Sequence, residues 1–265
     1  PSLVLLHGSP GDGGAFRAMV DSLQGRYHLI VPDLPGFGAS ERRLPDYSFQ
    51  AHAFAIRDLL DELKVRRAHL VAFSMGGGVA LHLADAAPER VASLTLMAAI
   101  GVQELELFGK YELNHAVHGF QLLAFQGLAW LTPHFGALRP GNGAINYSRN
   151  FYDSDQRPLR GYLEAWQGPT LIMHGQDDPL VPAAAAYEHA RIVPQAQVEI
   201  WSGVSHFMPW KETERVTSTL AQFVDSVESG MALTRRQASP EAITRAQLPW
   251  DPSDAPELVG FALII

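Results

Sequence analysis

At 265 residues, 47% of them hydrophobic and 18% charged, the chain is long enough for one large α/β domain or two small ones. The formal net charge of −8 is scattered and forms no basic stripe, which argues against nucleic acid as a partner. The absence of cysteine excludes a disulfide framework, a thiolate metal site and a cysteine nucleophile, and no run reaches the roughly 18 apolar residues of a membrane span.

The chain opens at Pro1, without Met and directly on an apolar strand pattern from Ser2 to Leu6, so its start is expected to be truncated or processed. A glycine-rich loop, His7 to Gly14, leads into a predicted helix from Ala15 to Leu23 and a strand from His28 to Val31. Ile56, Leu59, Leu60 and Leu63 recur at helical spacing and predict an amphipathic helix. A buried strand from His69 to Phe73 is followed by a small-residue helix from Gly76 to Ala86, ending near Pro88, and by a strand from Val91 to Ala98. Thr170 to Met173 and Gln197 to Trp201 are further strands, separated by a helix around Ala183 to Ile192. Val216, Leu220, Phe223, Val224 and Val227 face a core from one last helix. Strands alternating with helices imply an α/β fold, a mostly parallel central sheet with helices on both faces.

The interval from Gly101 to Gln167 breaks this alternation. It is rich in Leu and aromatics, including Phe108, Tyr111, Phe120, Phe125, Trp130 and Phe135, and has no clear strand. An ordinary pair of crossover helices is the plain reading. The interval is far longer than such a crossover, which favours a helical cap over the carboxyl edge of the sheet. The expected organisation is a core of residues 1–100 and 168–229, a cap of 101–167, and a tail of 230–265.

Between the strand ending at Phe73 and the helix starting at Gly76 stands one hydroxyl, Ser74, with Ala72 and Gly76 leaving room on either side. A nucleophile on a strained strand-to-helix turn needs such room, and the helix N-terminus beside it favours negative charge. A serine hydroxyl also needs a base, and the base an orienting acceptor. In a parallel sheet these should follow the carboxyl ends of other strands. Two loops qualify: His174-Gly175-Gln176-Asp177-Asp178-Pro179, carrying two aspartates, and Ser202-Gly203-Val204-Ser205-His206-Phe207. Of eleven histidines, His206 follows a strand and a glycine turn at the expected place, whereas His28, His69, His82, His118 and His134 stand in no motif. His7 and His174 are read as structural residues bonding nearby backbone. Met75 N–H, next after Ser74, is one oxyanion donor.

Ala72-Phe73-Ser74-Met75-Gly76 resembles the nucleophile elbow of the α/β-hydrolase family, G-x-S-x-G, with Ala in the first place. The order Ser74, aspartate, His206 is similar to that family's. Its H-G-x-x-D-x-x-V-P pattern, matched at His174 to Pro182, implies that the acid is Asp178, leaving Asp177 as a solvent-side neighbour. His7-Gly8-Ser9-Pro10 resembles the family's H-G-x-P loop, which implies Ser9 N–H as the second oxyanion donor. Asp33 to Ser40 is similar to the loop D-x-P-G-x-G-x-S and implies turns that hold the rim of the site. The resemblance covers about residues 1 to 228, and the first two strands usual in the family are not visible ahead of Pro1.

The resemblance implies a Ser74–His206–Asp178 triad that hydrolyses carboxylic esters through an acyl-enzyme, without metal or organic cofactor. Two alternatives remain: a C–C bond hydrolase of the meta-cleavage type, and a non-catalytic ligand-binding protein on the same fold. Phe73, Phe108, Phe125, Trp130 and Phe207 are the candidate contacts for an apolar small-molecule ester. The expected location is cytoplasmic. After the last helix the composition shifts to Pro and Arg, reading as a linker, and Leu258 to Ile265 carries no polar side chain. That run either packs on the domain or begins a membrane tether of a longer protein.

Overall fold

The computed structural model describes residues 1–106, 108–132 and 143–235. Its strands are β1 (Ser2–Leu6), β2 (His28–Ile30), β3 (Ala68–Phe73), β4 (Val91–Met97), β5 (Thr170–Gly175) and β6 (Gln197–Trp201). The helices are α1 (Arg17–Leu23), α2 (Phe49–Glu62), α3 (Gly76–Ala86), α4 (Tyr111–Leu131), α5 (Gly143–Asp153), α6 (Leu159–Ala165), α7 (Ala183–Ile192), α8 (Met208–Lys211) and α9 (Thr213–Glu228). Phe135 and most of the C-terminal tail, residues 236–265, lie outside the described residues.

The six strands form one sheet in the order β2-β1-β3-β4-β5-β6, and every neighbouring pair is parallel. Alternation along each strand sends side chains to opposite faces. On one face Val4, Leu6, Leu70 and Ala72 meet Phe49, Ile56, Leu60, Val79, Leu83, Leu159 and Leu163. On the other, Leu3, Leu5, Val71 and Phe73 meet Met19, Leu23, Met208, Val216, Leu220 and Val224. Helices α2, α3 and α6 therefore cover one face and α1, α8 and α9 the other, and this double cover is why β3 and β4 are buried at every residue. The chain leaves β1 in one direction to form β2 and crosses back to form β3. Loops after β1 and β3 thus part at the carboxyl edge, where a parallel sheet opens a crevice.

Local chemistry sets the ends of these elements. The Ser48 hydroxyl caps α2 by accepting from Ala51 N–H at 3.1 Å, so the helix starts well before the periodic residues that reveal it. It stops at Glu62, which leaves Leu63 exposed on the turn instead of in the core. Strand β4 ends at Met97 because Ala98 takes a left-handed φ of 45°.

The interval expected to form a cap holds α4, α5 and α6, and no strand among the described residues. Helices α4 and α5 pack on each other, whereas α6 packs on α3 and α7. No helix among the described residues is long and apolar enough to cross a membrane.

Burial leaves a pH signature. Desolvation lowers His52 from 6.5 to about 4 and His189 to about 3, so both are neutral when folded. Between those values and 6.5 the unfolded chain binds protons that the folded chain refuses. Stability is then full above pH 6.5 and falls on acidification, by about 1.4 kcal/mol per pH unit for each such group. Burial raises Glu106 from 4.5 to about 7, a contribution of opposite sign. The melting temperature is expected to fall as pH drops from 7 to 5, and His52→Gln to make that fall shallower. A flat or rising profile measured by calorimetry across this window would contradict the burial of neutral histidines.

Candidate active site

Ser74 follows β3 directly and has a φ of 54°, a conformation that an L-residue holds only when its surroundings impose it. Here they do so through both of its peptide groups. Ser74 N–H donates to Met97 O at 3.1 Å, and its carbonyl accepts from Gly77 N–H at 3.0 Å and Ile100 N–H at 3.2 Å. Gly76 passes so close to β1 that a Cβ there would meet Leu6 O at 2.4 Å, which is why this turn requires glycine. Behind it α3 carries no side-chain cap, so the positive end of its dipole opens beside the serine.

The loop after β1 runs over Ser74. A Cβ on Gly8 would stand 2.9 Å from Ser74 Cβ, so the next residue, Ser9, lies at the mouth of the turn. His7 shapes this loop. Its Nε2 accepts from Leu34 N–H at 3.0 Å, which leaves the proton on Nδ1 to donate to Gly8 O at 2.8 Å. Burial pushes this histidine below its ordinary value and keeps it neutral. Ser9 is half-buried, its hydroxyl lacks a partner, and Met75 is fully buried.

Past β5 and β6 the two remaining candidates meet. His206 Nδ1–H donates to Asp178 Oδ2 at 2.7 Å, and both side chains are almost completely buried. Asp178 Oδ1 accepts from Leu180 N–H at 2.8 Å and Val181 N–H at 2.9 Å. The carboxylate is fully engaged, and its spare oxygen is aimed at the imidazole. His174, directly behind it, gives Nε2–H to Val181 O at 2.9 Å, and burial holds it neutral. Asp177 does something the sequence did not suggest. It is exposed, as expected, but its carboxylate accepts from Gly203 N–H at 2.9 Å, while its own N–H donates to Val204 O at 3.0 Å. It therefore splices the acid loop to the histidine loop.

The His206 ring lies 5.0 Å from that of Phe73, the residue before Ser74, so the imidazole is held over the end of β3. Trp210 packs edge-on to Phe73 at 5.3 Å, and Phe207 lies 6.0 Å from Trp210. Phe207 and Trp210 are 44% and 45% exposed, so they form an aromatic rim that is still open to solvent. Trp210 was not singled out from the sequence. Its one signal is its position four residues after His206, and α8 sets its ring against Phe73 and Phe207. Of the other candidate contacts, Phe125 is half-buried, Phe108 is 37% exposed and Trp130 is 80% exposed. No ring contact joins these three to the Ser74 site among the described residues.

Comparison with known proteins identifies the fold family. A family model described as alpha/beta hydrolase fold matches residues 1–124 and 106–213. The 2-hydroxymuconate semialdehyde hydrolase of Pseudomonas putida is 28% identical over 85% of this chain and 88% of its own length. An esterase from Thermogutta terrifontis superposes with a TM-score of 0.70 at 23% identity, over 85% of this chain and 90% of that one. A meta-cleavage product hydrolase from Pseudomonas fluorescens IP01 does so with a TM-score of 0.63 at 25% identity, over 85% and 90%. With a parallel sheet, a strained serine turn and a family model spanning most of its length, the chain is an α/β-hydrolase, a member of the alpha/beta hydrolase fold family.

Proposed function

We propose that this protein is a serine hydrolase that cleaves carboxylic esters with an apolar acyl or alcohol part. Ser74 is the nucleophile, His206 the general base, and Asp178 the residue that orients it. The reading rests chiefly on one observation: a buried 2.7 Å Asp178–His206 bond whose imidazole lies 5.0 Å from the ring of the residue preceding a serine at φ 54°. With the proton of His206 fixed on Nδ1 by Asp178, Nε2 is the free lone pair. It removes the Ser74 proton as Oγ attacks the ester carbonyl, and Asp178 stabilises the imidazolium that forms. Ser9 and Met75 N–H, beside the uncapped start of α3, donate to the oxyanion. The imidazolium then protonates the leaving alcohol, and water activated by the same nitrogen hydrolyses the acyl-enzyme.

Phe73, Phe207 and Trp210 make the surroundings of His206 aromatic, which supports an apolar substrate. Each added methylene buried is worth about 0.8 kcal/mol, close to fourfold. In a p-nitrophenyl ester series, kcat/KM is expected to climb from acetate towards octanoate. A profile flat within twofold would refute an apolar acyl pocket.

A second reading has support from relatives named as 2-hydroxymuconate semialdehyde hydrolase and meta-cleavage product hydrolase. The same serine, histidine and oxyanion donors serve C–C hydrolysis of a vinylogous diketone. Hydrolysis of such a dienoate with a higher kcat/KM than the best p-nitrophenyl ester would replace ester cleavage as the assignment. Tight ligand binding with turnover near the uncatalysed rate would instead mark a receptor on this fold.

A further inference from the structure

A carboxylate with no part in the triad lies behind the nucleophile turn. Glu106 is 2% exposed, and its Oε1 accepts two consecutive backbone N–H groups, from Gly101 at 2.6 Å and Val102 at 2.7 Å. Its Oε2 is buried with no hydrogen-bond partner. The two amides it holds follow directly on the segment that grips Ser74. Met97 O receives Ser74 N–H, and Ile100 N–H goes to Ser74 O. Between them Ala98 sits at a left-handed φ of 45°. Ile100 O is packed onto the first turn of α3, 2.6 Å from where a Cβ on Gly77 would be. Met97 to Val102 is therefore a short strained clasp that fixes both peptide groups of the nucleophile turn. Strain of this kind persists only where neighbouring groups over-determine it. A carboxylate accepting two backbone N–H bonds is a strong anchor for doing so.

We infer that Glu106 is a positioning residue for the nucleophile: by anchoring Gly101 and Val102 it holds the clasp that sets the backbone, and hence the hydroxyl, of Ser74. It touches neither substrate nor the reacting atoms. The inference rests on the assignment of Ser74 as nucleophile, and the test separates the two.

The test uses the full chain, a p-nitrophenyl ester and a fluorophosphonate probe whose attachment to Ser74 is followed by intact mass and peptide mapping. Labelling of wild-type protein at Ser74 measures the nucleophile assignment by itself; wild-type protein that is neither labelled nor active overturns that assignment, and this inference with it. Three variants address Glu106. Glu106→Gln keeps an acceptor oxygen at the Oε1 position. Glu106→Ala removes it, and Glu106→Asp keeps the carboxyl group on an arm one methylene too short to reach both amides. Misplacement of a reacting group by about 1 Å costs up to about 10²-fold. Glu106→Ala and Glu106→Asp are therefore expected to lose between about 10- and 100-fold in kcat and in labelling rate per folded molecule, with KM changed less than about threefold. Glu106→Gln is expected to stay within about threefold of wild type in both readouts. A purely structural Glu106 would lower the melting temperature of the variants and leave the labelling rate of the folded fraction unchanged, and that result would overturn the inference. So would a Gln variant as impaired as the Asp variant. If Glu106→Ala does not fold, the contrast of Asp with Gln decides by the same criteria.

Discussion

Ser74→Ala is expected to abolish ester turnover, with kcat falling by about 10⁴- to 10⁶-fold, because a triad without its nucleophile retains only binding and oxyanion stabilisation. The fold should be untouched. The left-handed φ of 54° already carries a Cβ, so alanine inherits the strain that serine holds and adds none. The bonds that impose this conformation, from Ser74 N–H to Met97 O and from Gly77 and Ile100 N–H to Ser74 O, are all backbone and survive the substitution. The melting temperature should therefore stay within a few degrees of wild type while the p-nitrophenyl signal disappears. Residual kcat above about 1% in a folded variant would remove Ser74 from the chemistry.

Asp178→Asn should cost nearly as much, about 10³- to 10⁴-fold in kcat. Asparagine keeps an acceptor oxygen for Leu180 and Val181 N–H, so the loop holds its shape. It places an NH₂ where Oδ2 stood, 2.7 Å from His206 Nδ1. Two donors cannot face each other, so the imidazole proton moves to Nε2 and the base loses the lone pair that takes the Ser74 proton. Asp177→Asn is the control. The amide oxygen of asparagine can still accept from Gly203 N–H, so kcat should change by no more than about threefold. Kinetics of the two variants on one ester decide the matter. A larger loss for Asp177→Asn would reassign the acid and leave Asp178 a structural residue.

The pair Asp177 and Asp178 also marks where sequence reasoning stops. Adjacent aspartates share composition, burial propensity and distance from β5. The choice between them rested on a resemblance until the fold brought His206 to Asp178 and Gly203 to Asp177. Trp210 and Glu106 were silent for the same reason. Trp210 matters because α8 turns it back onto Phe73, and Glu106 because the loop after β4 folds Gly101 and Val102 onto its carboxylate. Trp130 shows the converse, since an aromatic in the expected cap reads as a pocket residue until α4 is seen to leave it in solvent.

The order and kind of the elements were legible in the chain because they are written locally. Continuous apolar runs such as Leu3 to Leu6 make buried strands, helical spacing such as Val216, Leu220 and Phe223 makes helices, and small residues around Ser74 permit a tight turn. Their alternation determined the parallel sheet, and the sheet determined that reactive side chains gather at its carboxyl edge. Which oxygen meets which nitrogen there was decided by tertiary structure alone. Loops after β1, β3, β4, β5 and β6 are far apart in sequence, and only the strand order β2-β1-β3-β4-β5-β6 sets how closely their backbones approach. Hydrogen bonds discriminate over a few tenths of an ångström, a precision that local sequence patterns do not carry.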